Sequence, residues 1–165
     1  MKPANNLFAQ LNIFEKKIDS LEKKIAQLEA KLDVRVDEIR HQILRVKNHQ
    51  SLPDDFILSG KKYLDLSPEK ASHLYHDKEF DFILIDVSEE DFTPPVHLPE
   101  AIRMPWSRFE SDYLEIQSKT TPILIISEDG VTSVLACHFL ADLGFFNTNN
   151  ISGGYKFWKT TVQEH

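Results

Sequence analysis

The sequence predicts an α/β domain, a small central parallel sheet flanked by helices, preceded by a long coiled-coil α-helix. Three observations predict it. From Leu7 to about Asn48 there is no Gly and no Pro, and Leu, Ile, Ala, Glu, Lys, Gln and Arg dominate, all compatible with one continuous helix. Two short runs, Phe82-Ile83-Leu84-Ile85 and Ile123-Leu124-Ile125-Ile126, are wholly apolar, the form taken by strands buried on both faces of a parallel sheet. Helix start and stop signals lie between and after these runs, so strands and helices alternate. At 165 residues the chain has room for one domain and an additional element.

The first element carries a seam. Leu11, Phe14, Ile18, Leu21, Ile25, Leu28 and Leu32 follow one another at alternating spacings of three and four, the heptad pattern of a coiled coil, in a helix of about 60 Å at 1.5 Å per residue. Beyond Leu32 the strict heptad would bring Arg35 and Gln42 into the seam. Four inserted residues restore Val36, Ile39, Ile43 and Val46, a stutter that locally unwinds the supercoil. With Leu11, Ile18, Ile25 and Leu32 at position a and Phe14, Leu21 and Leu28 at d, the seam favours two parallel strands. The flanks agree: Glu15, Glu22 and Glu29 stand at e and Lys17, Lys24 and Lys31 at g. Parallel chains therefore set Lys17 against Glu22 and Lys24 against Glu29, whereas antiparallel chains oppose like charges. A parallel homodimer through residues 7–48 is expected, in preference to a fold-back or to docking on another protein's helix.

The stretch SLPDDFILSG, residues 51–60, interrupts the helical pattern with Pro and Gly and reads as a linker between the helix, residues 1–50, and a domain of residues 61–162. Within that domain Tyr63 to Leu66 reads as a short strand. Ser67-Pro68-Glu69 opens a helix with Ser as N-cap and Pro at the first helical position, running to about Tyr75. Ser133 to Leu143 reads as a helix capped by Gly144, and Asn149 to Ser152 as a last strand before the turn Gly153-Gly154.

Composition excludes several classes. Lys and Arg total 19 against 26 Asp and Glu, a net charge of -7, which disfavours a phosphate-backbone grip and so nucleic acid as partner. No run approaches the ~20 apolar residues of a membrane span, and the opening MKPANNLFAQLNIF lacks a signal-peptide core, so a cytoplasmic protein is expected. The lone cysteine, Cys137, rules out a disulfide framework or a cysteine-rich zinc site. Of the seven histidines, His73 with His76 and His41 with His49 are closest in sequence, yet no ligand set is completed around them. They are expected on the surface, with no metal and no cofactor. Phe145, Phe146, Phe157 and Trp158 read as core or as a peptide-binding patch.

Residues 61 to about 160 resemble the rhodanese family. Asp86-Val87 after a buried strand is similar to that family's D-V-R, His97-Leu98-Pro99-Glu100-Ala101 to its G-H-I-P-G-A, and Met104-Pro105 to the I-P that follows. Leu140, Gly144-Phe145, Gly153-Gly154 and Trp158 resemble L-x-x-x-G-F and G-G-x-x-x-W. Ser127-Glu128-Asp129-Gly130-Val131-Thr132-Ser133 aligns without a gap to the catalytic loop C-x-x-G-x-R-S, at sulfurtransferase rather than phosphatase length. Such a loop turns from a strand end into a helix N-terminus, where converging N–H groups stabilise a thiolate, persulfide or oxyanion.

The resemblance implies Ser127 at the position of the sulfur-carrying cysteine. A hydroxyl carries no transferable sulfur and is no anion near neutral pH without a base. Thr132 replaces the family's Arg, Glu128 and Asp129 add negative charge, Ser88 stands where Arg follows Asp-Val, and Val96 and Glu100 replace the glycines beside His97. The expected function is a non-catalytic binding, scaffold or regulatory module, dimerised by its helix, for a partner protein the sequence does not identify. The alternative is a sulfurtransferase that moves its sulfur carrier to Cys137. A hydrolase using Ser127 with His97 or His138 has no supporting motif, and the bland role for Ser127 is to cap the loop's own N–H groups.

Overall fold

The structure is a computed structural model and describes residues 4–158. The chain divides after Asp37 into two compact units.

The first unit is the helical stretch up to Asp37, part of α1 (Ala4–Lys47). Its seven seam residues from Leu11 to Leu32 are each 48–65% exposed. A water-exposed apolar stripe of this length is uncompensated in a single chain, because helices draw most of their stability from burying such a face.

The second unit opens at Glu38 with the last ten residues of α1. It continues through α2 (Asp54–Ser59), β1 (Tyr63–Leu66), α3 (Pro68–His76), β2 (Ile83–Asp86), β3 (Ala101–Arg103), α4 (Phe109–Asp112), β4 (Ile123–Ile126), α5 (Val131–Asp142), β5 (Thr148–Ile151) and α6 (Gly154–Phe157). The five strands form one sheet in the order β1-β5-β4-β2-β3, every neighbouring pair parallel. Successive side chains of a strand point to opposite faces, and β4 divides accordingly. Ile123 and Ile125 join Ile85, Phe109, Leu140 and Phe145 on one face, whereas Leu124 and Ile126 join Leu64, Leu66, Leu84 and Trp158 on the other. The all-apolar sequence of β4 is thus the consequence of two cores.

Helix α3 begins as its sequence dictates, with Ser67 Oγ accepting from Lys70 N and Pro68 in the first turn. Helix α5 starts two residues before the expected Ser133, and β5 one residue before Asn149. Residues 51–60, expected as a linker, contain a short helix. Pro53 precedes α2, Gly60 ends it at φ 62°, and Phe56 is buried. The short strand β3 pairs with β2 at the sheet edge, where its sequence showed only a motif. The expected domain end at residue 162 lies outside the described residues.

The last ten residues of α1 meet the sheet through polar side chains. Within the second unit His41 and Arg45 are buried, while Ile39, Ile43 and Val46 are exposed. His41, expected on the surface, donates from Nδ1 to Phe146 O at 2.8 Å and meets the Phe146 ring edge-on. Arg45 reaches the starting end of β5, donating to Asn149 Oδ1 and to Thr148 O, each at 2.6 Å, with its guanidinium 4.8 Å from the Phe56 ring centre. Asn149 passes the tie on through its Nδ2, which donates to Ile123 O and Asn147 O at 3.1 Å. Burial lowers the Arg45 pKa to about 10, so the cation persists at neutral pH and its hydrogen bonds are charge-assisted. A polar face, not the apolar seam, holds the helix end on the sheet.

Candidate functional site

In open α/β sheets ligands bind beyond the carboxyl ends of the strands. At that edge the chain leaves β4 through Ser127, Glu128 and Asp129 and enters α5 at Gly130, whose φ of 84° is left-handed. Glycine is required there for space as well: a Cβ on Gly130 would stand 2.5 Å from Gly153 N. The opposing turn is equally tight, since a Cβ on Gly154 would overlap Ser127 O. Tyr155 N donates to Ser127 O at 2.9 Å and Lys156 N to Glu128 O at 3.0 Å. The two glycine turns are therefore packed back to back, and the Gly153-Gly154 segment fixes the loop's position.

Ser127 is buried at the focus of this loop. Its Oγ accepts from Gly130 N at 3.1 Å and from Ser133 N at 3.2 Å, and donates to Ser133 Oγ at 3.1 Å. Ser133 Oγ donates onward to Asn150 Oδ1 at 2.6 Å, and Asn150 Nδ2 to Asp65 Oδ1 at 2.8 Å. A further loop donor, Val131 N, is taken by Asp129 Oδ1 at 3.0 Å. Backbone N–H groups that could cradle an external anion are thus turned onto the loop's own oxygens. The carboxylates of Glu128 and Asp129 are exposed at the mouth and Thr132 is half-buried.

Asp86 lies beside this loop, its position in β2 registered with Ile126 of β4. It is buried, accepting from Ser88 N at 2.9 Å and from Tyr155 Oη at 3.1 Å, with Arg103 Nη1 at 3.6 Å. Burial first, and the Asp86 charge second, raise the Tyr155 pKa, so the phenol remains a donor. Arg103 also holds the 89–92 segment, donating to Glu89 O at 2.6 Å and Phe92 O at 2.7 Å. Exposed His97 lines a cavity of 390 Å³ with Asp86, Val96, Arg103 and Tyr155. The motif positions Asp86 and His97 therefore share a cavity, while Ser127 to Ser133 form the adjoining loop.

Cys137 faces the core among Ile123, Ile125 and Leu140, fully buried, and burial pushes its thiol well above the usual range. His138 is exposed and meets the Tyr63 ring edge-on. Among the described residues no group of three or more His, Cys, Asp or Glu is arranged to hold a metal ion. Phe145 and Trp158 are buried and Phe157 is 55% exposed, so the C-terminal aromatic group divides between core and surface.

Sequence reasoning overlooked Asp65, Asn150, Arg103 and Tyr155. Asn147, Thr148, Asn149 and Asn150 are all buried, and a run of polar residues in a central parallel strand is a usable signal, because buried polar groups demand partners.

A five-stranded parallel sheet with a strand-loop-helix turn at its carboxyl edge, backed by a Gly-Gly turn, defines an open parallel α/β fold with a loop site at the ends of its strands. The family follows directly: residues 67–161, more than half of the chain, match the rhodanese-like domain, and the chain belongs to that family. It is 24% identical over 99 residues to the thiosulfate sulfurtransferase GlpE of Pseudomonas syringae pv. syringae, covering 60% of this chain and 90% of that protein. Among solved structures it is similar to a rhodanese-like domain protein from Staphylococcus aureus, with a TM-score of 0.50, 21% identity, and coverage of 60% and 94% of the two chains. A rhodanese-like domain from Anabaena gives a TM-score of 0.52 at 18% identity, covering 59% and 74%.

Proposed function

We propose that this chain is a non-catalytic member of the rhodanese-like family, a binding, scaffold or regulatory module dimerised through a parallel coiled coil over residues 7–48. In this reading Ser127 stands at the position of the sulfur-carrying cysteine. The observation that carries it is the buried Ser127 Oγ, engaged by Gly130 N, Ser133 N and Ser133 Oγ. Sulfur transfer needs a thiolate that accepts sulfane sulfur as a persulfide and passes it on, and a hydroxyl does neither. The exposed carboxylates of Glu128 and Asp129 further oppose an anionic donor such as thiosulfate.

Relocation of the carrier to Cys137 is disfavoured by its complete burial and raised thiol pKa, because reactive cysteines are accessible and thiolate-rich. No helix among the described residues is long and apolar enough to cross a membrane. Together with the acidic net charge, this favours a cytoplasmic protein that binds neither membrane nor nucleic acid. The exposed seam of α1 supports self-association, and its Lys and Glu flanks support the parallel orientation.

The test is thiosulfate-to-cyanide sulfur transfer by the natural protein, by Ser127→Cys and by the double variant Ser127→Cys, Thr132→Arg, with mass spectrometry of Cys137 after thiosulfate treatment. The expected outcome is no turnover and no persulfide in the natural protein, with turnover gained in the double variant. Turnover in the natural protein that disappears in Cys137→Ala would overturn the reading.

A further inference from the structure

We propose that a cleft beside α3 binds a small amine with an apolar aromatic body, at a site separate from the Ser127–Ser133 loop and independent of the fate of the coiled coil. The cleft has a volume of 480 Å³, within the ~300–1,000 Å³ of small-molecule sites. It is lined by the turn that follows α1, by β1, and by α3 with the residues just after it, and none of residues 127–133 reaches it. Its apolar lining is Leu64, Leu66 and Leu74. The first two belong to the second core and the third packs against it, so the body of a ligand here would continue that core.

One lining residue asks for a donor. The turn after α1 is closed by His49 N donating to Val46 O at 3.0 Å and Gln50 N to Arg45 O at 2.9 Å, the bond pair of a Schellman motif. His49 occupies its left-handed position, at φ 56°, where glycine is usual. This backbone fixes Gln50 in the cleft wall, and Gln50 Oε1 is buried with no hydrogen-bond partner among the described residues. A buried carbonyl oxygen requires a donor, which an N–H of the ligand supplies.

The charges give the ligand its polarity. At the end of α3 the chain turns tightly, with Phe80 N donating to Asp77 O at 3.2 Å and Glu79 N to Asp77 Oδ1 at 3.0 Å. Two carboxylates, Asp77 and Glu79, thereby meet the half-buried Phe80 ring at one end of the cleft. Carboxylates with an aromatic ring are the chemistry that recognises an ammonium group. The cation in the lining, Lys70, stands seven residues earlier, about 10 Å away along the helix, and so leaves the acidic end negative. The net charge of -7 adds a general attraction for a cation. A carboxylate ligand of the same shape meets repulsion at that end.

Tryptamine is the probe, with an indole N–H for Gln50 Oε1 and an ammonium for Asp77 and Glu79. Indole-3-acetate, the same ring with a carboxylate, is the comparison. Leucine-methyl NMR of the full chain should show saturable shifts at Leu64, Leu66 and Leu74 with a tryptamine Kd of about 1 mM or tighter, and indole-3-acetate should bind at least about 5-fold more weakly. The pair Asp77→Asn, Glu79→Gln is expected to weaken tryptamine about 3-fold and to narrow its lead over indole-3-acetate. Gln50→Leu should cost a similar factor. Leu74→Trp fills the cleft and should abolish binding. The carboxylate pair, at two exposed positions, keeps the test available if Leu74→Trp lowers the thermal midpoint. Equal affinity for the two indoles overturns the amine assignment. Absence of saturable shifts at the three leucines, or tryptamine binding unmoved by both the carboxylate pair and Leu74→Trp, overturns the site.

Discussion

The two parts of α1 use opposite chemistry. Up to Asp37 the helix shows an apolar stripe from Leu11 to Leu32 that no other part of that unit covers. From Glu38 onward it buries a histidine and an arginine and leaves Ile39, Ile43 and Val46 bare. The apolar seam was assigned to a coiled coil, and in the second unit the sheet takes the polar face of the helix. The difference teaches that a helix can keep apolar residues bare beside a globular fold, provided the fold grips a different, polar face. Hydrogen bonds from Arg45 and His41 supply that grip with directionality, while the seam supplies area.

Breaking the seam should give the largest effect. The double variant Ile18→Asp, Ile25→Asp places four charges in the core of a two-stranded coil, and each buried unpaired charge costs several kcal/mol. Light scattering should report the monomer mass at concentrations where the proposed natural dimer forms, with the fold of the second unit retained. Next is Arg45→Ala, which removes the guanidinium from Asn149 Oδ1 and Thr148 O and empties the space against Phe56. A loss of about 3 kcal/mol in urea unfolding of the second unit is expected. Equal losses from Arg45→Ala and the exposed Ile43→Ala would erase the distinction between the faces. The smallest effect is orientational: Lys24→Glu should weaken association by a few tenths of a kcal/mol, recovered by adding Glu29→Lys and screened by salt. Failure of the second change to restore the first would point to a different register or orientation.

Much of this was legible. The strands β2 and β4 announced themselves because both faces of the sheet are covered, and Ser67-Pro68 because the cap is local chemistry. The loop from Ser127 to Ser133 could be found through its resemblance to the family's C-x-x-G-x-R-S, and its glycine proves to be packed against the distant Gly153-Gly154. Three things stayed hidden, each for the same reason. His41 read as a surface residue, residues 51–60 as a linker, and Asn150 as an unremarkable strand residue, because hydropathy patterns register apolar burial and are blind to polar groups satisfied by distant partners. Strand β3 escaped because Ile102 and Arg103 are exposed at a sheet edge, where no alternation is imposed.

The oxygen at the centre of the loop has a consequence for endurance. Thiolate-bearing loops of this shape stand on an oxidation ladder, from sulfenic to sulfonic acid, with reversible caps along the way. Ser127 has no place on that ladder, and Cys137, the one thiol in the chain, is sealed in the core. The loop therefore presents the same surface to a partner under peroxide as under reducing conditions.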